Sequence, residues 1–475
     1  MKRLTRTRKT AAALTAAAAA LFMAGCSASG GNVTEATHTD HHHEHEGSLA
    51  EAMSLEPRVV LTYDGGLMVV DTAERAVTSD IKREGFLRLN QAGDGRHLFV
   101  SEGKGFTMLD GGLQEVPHGN HSHYFSGDPE FTAVTIAAEK PGHVVTHAGQ
   151  TALFDDGTGE VTIFDSGAIH DGDAPETRTF KTENPHHGVA VPLADGKVLV
   201  TEGTKDARKT IRLLDADFNE LARTDECPGV HGEAPAGEGD TVAFGCEDGP
   251  VVYKDGKFHK VKAETEYQRN GNLWGSPSSP IVLTDYKIDK DAKLEKPTKI
   301  GLLNTEDLTF KTLDLGSAYW FRSLERGPNG EGVVLTYDGK LHVIDMAKGE
   351  VLRSVDVVKP WEEKEQWQQP NAAVRVSGEI AYVTDAQEKK LHMVDLEEGK
   401  IMATVDLPHE ANEIAVVTGM IPHGVKVAEM EGDDHDHGHE GHDHEGHGHE
   451  GHDHEGHDHD HDHDHSHEPS PSSTK

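Results

Sequence analysis

The sequence predicts an all-β protein, a single β-propeller of eight blades, with a histidine-rich segment at each end that has no core of its own. Three observations carry this reading: an apolar motif recurs through the body, hairpin signals precede its copies, and helix-like stretches are nearly absent from the same region.

The motif is a run of apolar or β-prone residues closing on Asp or Asn. It appears as LMVVD at 67–71, FTMLD at 106–110, VTIFD at 161–165, IRLLD at 211–215, VVYKD at 251–255, IGLLN at 300–304, LHVID at 341–345 and LHMVD at 391–395. The closing positions step by 39, 55, 50, 40, 49, 41 and 50 residues. Such a period belongs to propellers and solenoids. LTYDGG precedes the first copy, LFDDGTG the third, AFGCEDG the fifth and VLTYDGK the seventh. Asp-Gly between two β-prone runs marks a hairpin, so the copies are expected as middle strands of four-stranded blades. The scarcity of helix excludes helical solenoids, and a closed ring hides the sheet edges. ANEIAVV at 411–417 follows the last copy, while the first lacks a clear preceding strand of its own, so the C-terminal segment is expected to complete the N-terminal blade. A ring of seven blades, with one copy misjudged, is the alternative.

The expected organisation is a leader at 1–25, a flexible His-rich linker at 26–50, the propeller at 51–425 and a disordered acidic, His-rich tail at 426–475. The leader has a basic start, an alanine-rich apolar run from Ala11 to Met23 and small residues before Cys26, as a cleaved export signal does. Met-Ala-Gly-Cys resembles a bacterial lipobox, with Met23 in place of the usual leucine, and predicts lipidation of Cys26 and anchoring to the outer face of the cell membrane. Ordinary secretion with Cys26 unmodified is the other reading. Cys227 and Cys246 then remain as an even pair in an oxidising compartment, which favours a disulfide over a two-cysteine metal site or a reactive thiol. The formal charge of −38 argues against nucleic acid and anionic lipid as partners and favours cations.

Histidine carries the chemistry. The tail holds fifteen histidines between His435 and His467, among them His435, His437, His439, His442 and His444, and fifteen acidic residues from Glu431 to Glu468. The N-terminal linker adds His38, His41, His42, His43 and His45. Imidazole nitrogen and carboxylate oxygen suit borderline cations, so both segments are expected to capture Zn(II), with Ni(II) and Cu(II) chemically open. Within the body, His118, His121 and His123 fall in PHGNHSHYF, inside the longest repeat step, where an insertion emerges on a propeller face. His121 and His123 point the same way if the segment is extended. His143 and His147 in PGHVVTHAG, His186 and His187 in NPHHGVA and His231 in CPGVHGEA sit at or before the first strands of consecutive blades. Such positions converge on the central channel, with Asp155, Asp156 and Glu233 close by in sequence as further candidates. His97, His170, His259, His342, His392 and His409 lack such company and are read as structural or surface residues. No G-x-S-x-G elbow, phosphate-cradling loop or H-E-x-x-H is present, and the protein is not expected to be an enzyme.

The HGNHSHYF segment, PGHVVTHAGQTALFDDGTG, NPHHGVAVPLADGK and the C-P-x-x-H-G-E stretch, on an exported propeller with a His-rich N-terminal flap, closely resemble the AztD zinc metallochaperones from about Gly47 to Thr418. The resemblance implies a zinc carrier that delivers Zn(II) to the solute-binding protein of a zinc ABC importer, and the protein is expected to be a monomer. It makes the body histidines candidate ligands and the N-terminal segment a mobile loop over the site. The lipid anchor and the long tail are departures from the family pattern. A surface-anchored propeller that buffers metal or mediates adhesion, with no dedicated recipient, is the competing expectation.

Overall fold

The computed structural model describes residues 49–430. The leader with Cys26, the linker histidines His38, His41, His42, His43 and His45, and the tail histidines from His435 onward lie outside the described residues. Among the described residues there are eight four-stranded antiparallel sheets and one smaller three-stranded sheet, with helix confined to two short 3-10 turns. No helix among these residues is long and apolar enough to cross a membrane.

Each apolar repeat falls on the third strand of its blade, as Gly66–Asp71 shows in the first and Lys390–Asp395 in the eighth. These strands are buried on both faces because blades pack face against face. One cluster joins Val59, Leu61, Met68 and Val70 of blade one to Tyr382, Leu391 and Met393 of blade eight. Another joins Ala152, Phe154 and Ile163 of blade three to Ala190, Val198 and Val200 of blade four. The outermost strands alternate instead, since only one of their faces meets a neighbour, as in Ala76–Lys82.

Ring closure is the feature that fixes the ends of the propeller. Ile414–Val417 pairs antiparallel with Arg58–Tyr63, with Arg58 opposite Val417 and Leu61 opposite Ile414, and supplies the innermost strand of blade one. The first strands of neighbouring blades lie against one another around the axis. Antiparallel order then assigns two faces. The entry points of the first strands lie on one face, and the connections from first to second and from third to fourth strands lie on the other.

Two departures from the simple repeat matter for function. In blade two the chain leaves after Gly105–Asp110, forms a hairpin of Leu113–His118 and His121–Ser126, and returns as Glu130–Ala137. Ala50–Ala52 adds a third strand to that hairpin. At the entry to blade five, Cys227 and Cys246 form a disulfide with Cα atoms 4.9 Å apart, set in the apolar cluster shared with blade four.

Candidate metal centre

Three imidazoles from three consecutive blades meet at the entry face of the channel. His143 lies near the start of strand Pro141–His147 of blade three, and His187 just ahead of Ala190–Pro192 of blade four. His231 opens strand His231–Pro235 of blade five. Their ligand atoms lie within 4.8 Å of one another. His187 Nε2 is 3.2 Å from His143 Nε2 and 3.3 Å from His231 Nε2. Nitrogens bound to one tetrahedral Zn(II) at 2.0–2.1 Å would stand about 3.3–3.4 Å apart, so the observed spacing fits such an ion.

Hydrogen bonding on the far side of two of the rings decides where their lone pairs point. His231 Nδ1 is 2.6 Å from the Gly271 carbonyl, which only accepts, so Nδ1 carries the proton and Nε2 the lone pair. His187 Nδ1 donates in the same way to the Asp156 carboxylate at 2.7 Å. Two nitrogens with lone pairs therefore face each other at 3.3 Å, a contact that a shared cation would make favourable. The carboxylate-histidine arrangement is the one that orients metal-bound imidazoles. Asp156 is buried, and its other oxygen, Oδ1, has no hydrogen-bond partner.

Burial sets the protonation of the pocket. It holds His231 down to about 3, against the Gly271 hydrogen bond and with help from His187, Arg269 and Arg208. It also pushes His143 well below 6.5, with His187, His231, Arg88 and Arg208 adding repulsion. Both rings are thus neutral and ready to ligate. Glu233, whose Oε2 lies 3.8 Å from His143 Nδ1 without a hydrogen bond, is pushed by burial up to about 8, with Arg88 opposing the shift.

The other two histidines expected in this set lie elsewhere. His147 ends the strand near whose start His143 lies, and four residues of extended chain separate them by about 13 Å. Its ring nitrogens face the Pro192 and Gly239 carbonyls at 2.7 and 3.2 Å. His186 precedes His187 but turns into the blade, against the Asn184 and Thr201 carbonyls at 2.8 and 3.1 Å and edge-on to Phe154. Asp155 organises a turn, accepting from the amides of Glu139, Lys140 and Gly157.

A second histidine group stands on the hairpin of blade two. His118 and His121 are cross-strand partners, and His118 Nδ1 lies 3.2 Å from His123 Nε2. The His121 ring is exposed, 4.9 and 5.1 Å from the other two ring centres. Glu51, on the added strand, places a carboxylate oxygen 3.4 Å from His123 Nδ1. Five of the remaining body histidines have their own partners: His97 binds Asp94 at 2.6 Å, His170 the Glu115 carbonyl at 2.7 Å, His342 Ser354 and His392 Thr404, while His409 stacks on Tyr63.

Fold and pocket together define a class, that of β-propellers whose consecutive blades present convergent histidines at the channel mouth. The chain is similar to the zinc chaperone AztD of Citrobacter koseri, with 26% identity over 381 residues that cover 78% of this chain and 86% of that protein. The structure of apo AztD from the same organism superimposes with a TM-score of 0.66 at 23% identity, over 77% of this chain and 98% of that one. A second AztD crystal structure gives 0.67 at 24%, over 79% and 100%. These structures share the propeller fold. No protein-family profile matches the chain.

Proposed function

We infer that this protein is an extracytoplasmic zinc metallochaperone, which holds Zn(II) at His143, His187 and His231 and passes it to the solute-binding protein of a zinc ABC importer. The observation that carries the reading is the convergence of three ring nitrogens from three blades, two of them held by Asp156 and Gly271 with lone pairs inward. The similarity to a protein named as a zinc chaperone supports the same cargo.

The geometry suits transfer as well as holding. Three protein ligands leave one tetrahedral position for a ligand from a recipient. His187 is about one-third exposed, so an incoming group reaches the ion from the face of the ring before any ligand of the carrier departs. Ligand exchange of this kind releases no free ion. Lipidation at Cys26 would hold the carrier at the outer face of the membrane beside such an importer.

The test is a comparison of two rates, zinc transfer from the loaded protein to an apo solute-binding protein and zinc loss to a chelator. Direct delivery predicts that transfer is faster and rises with recipient concentration. Equal rates would leave a buffering propeller with no dedicated recipient.

A further inference from the structure

Beside the histidines, the channel is lined with arginine. Arg88 begins the first strand of blade two, Arg88–Gln91; Arg322 lies in that of blade seven, Tyr319–Arg326, and Arg375 in that of blade eight, Ala373–Ser377. The convergence that gathers His143, His187 and His231 from blades three to five therefore gathers three guanidiniums from blades two, seven and eight. Trp367 stands between two of them, its ring centre 6.0 Å from the Arg88 guanidinium carbon and 5.4 Å from that of Arg322. A cavity of about 380 Å³ opens here, lined among others by Leu89 and Asn90, which follow Arg88, by Val144, which follows His143, and by Glu325 and Arg375.

Charge around this cavity does not balance. Arg322 pairs with Glu413, and Arg375 Nη1 lies 3.4 Å from Glu325. Arg88 is half-buried, and among the described residues its guanidinium makes no hydrogen bond or ion pair, only the contact with Trp367. Burial raises Glu325 against the pull of Arg375, which weakens the one carboxylate in the cavity. Burial also holds Arg322 down to about 10; Glu413 opposes the shift, while Arg88 and Arg375 add repulsion. Three neutral imidazoles bring no negative charge to a divalent cation, so zinc loading enlarges the excess even after Glu233 has lost its proton. A buried charge without a partner is costly, and an anion would relieve it.

We propose that this cavity binds a small carboxylate, with one oxygen on the Arg88 guanidinium and the other at the open coordination position of zinc held by His143, His187 and His231. A guanidinium with free donors matches carboxylate geometry, and carboxylate oxygen is an ordinary fourth ligand for zinc. Arg88 thereby selects the chemistry of the exchangeable ligand. That ligand is a carboxylate, either of a free solute or of a recipient's side chain. The zinc half of the proposal rests on the zinc-carrier reading, and the Arg88 half is read without metal.

The test takes the full chain and three variants: Arg88→Gln, Arg88→Lys, and one with His143, His187 and His231 all changed to alanine. Metal-free protein is unfolded by heat as sodium acetate replaces sodium perchlorate at constant ionic strength. Acetate should stabilise the wild type and the histidine variant, with its binding weakened about 10- to 100-fold in Arg88→Gln and less in Arg88→Lys, which keeps the charge. With one equivalent of Co(II) as a coloured substitute for zinc, acetate should shift the visible absorption of the wild type and leave that of the histidine variant unchanged. An acetate response that is absent from the wild type, or equal in wild type and Arg88→Gln, would overturn the proposal. Cobalt spectra that are the same with and without the three histidines would instead sink the zinc pocket, while acetate stabilisation lost in Arg88→Gln would still establish the anion site. Zinc transfer to an apo solute-binding protein separates the two sources of carboxylate: saturating acetate slows transfer if the recipient supplies the group and leaves it unchanged if a free solute does.

Discussion

Replacing Asp156 by asparagine tests the pocket at its support rather than at its ligands. The change keeps the size of the side chain and its ability to accept from His187 Nδ1, now 2.7 Å away, but removes the negative charge. The group is buried, and Gly142 packs so closely on it that a side chain there would collide with Asp156 Oδ1, so solvent does not replace what is lost. Loss of an oriented carboxylate behind a ligating histidine weakens metal binding by about 10- to 100-fold. That corresponds to about 1.4–2.7 kcal/mol of binding free energy. Chelator competition reads this directly on a protein lacking the tail, with His118, His121, His123 and the linker histidines His38, His41, His42, His43 and His45 replaced so that only the pocket contributes. Unchanged zinc affinity in Asp156→Asn, with the variant folded, would refute the claim that the charge of Asp156 strengthens His187 as a zinc ligand.

Further outcomes follow from the same geometry. Because His143 and His231 are already neutral and Glu233 is protonated below about 8, zinc entering the pocket at pH 7 should expel about one proton, that of Glu233. Calorimetry in buffers of different ionisation enthalpy measures this, and Glu233→Gln should abolish it; equal release from both proteins would count against the assignment. In the metal-free protein, Glu233 binds its proton when folded but not when unfolded between about 4.5 and 8, so its stabilising contribution is lost as pH rises through that window. His231 has the opposite sign: the unfolded chain takes up a proton near 6.5 that the folded chain refuses until about 3, so its contribution is lost as pH falls between them. For the same reason the pocket should retain zinc in dialysis at pH 5.5 while zinc bound elsewhere on the protein is released; loss of all zinc in a single step would contradict this. Replacing Cys227 and Cys246 by alanine opens a crosslink spanning 19 residues and should cost about 3 kcal/mol in denaturant unfolding. It should also weaken zinc binding, since Cys227 stands four residues before His231.

Much of the fold was legible because the third strand of each blade is buried on both faces and so reads as an unbroken apolar run. The innermost strands were less so. Ala190–Pro192 spans three residues, and the pairing of Pro141–His147 shifts register between Pro141 and Val144, which breaks any simple alternation. The completion of blade one by Ile414–Val417 was readable because an apolar strand followed the last repeat. For the site, placing histidines at first-strand entries brought His143, His187 and His231 into one set with His147 and His186. His186 and His187, in the loop ahead of Ala190–Pro192, are drawn apart by different partners, the Asn184 and Thr201 carbonyls for one and Asp156 for the other, and strand length carries His147 away from His143. The Gly271 carbonyl and Glu51 had no sequence signal. One is backbone from the next blade, and the other reaches His123 through strand pairing across 72 residues.

The central claim is that three blades build one ordered zinc site. Anomalous diffraction at the zinc edge from crystals loaded with one equivalent of Zn(II) tests it most directly. The account predicts a single strong peak about 2.0–2.1 Å from Nε2 of His143, His187 and His231. A pocket without a peak, with zinc found at the hairpin or the chain ends, would contradict it.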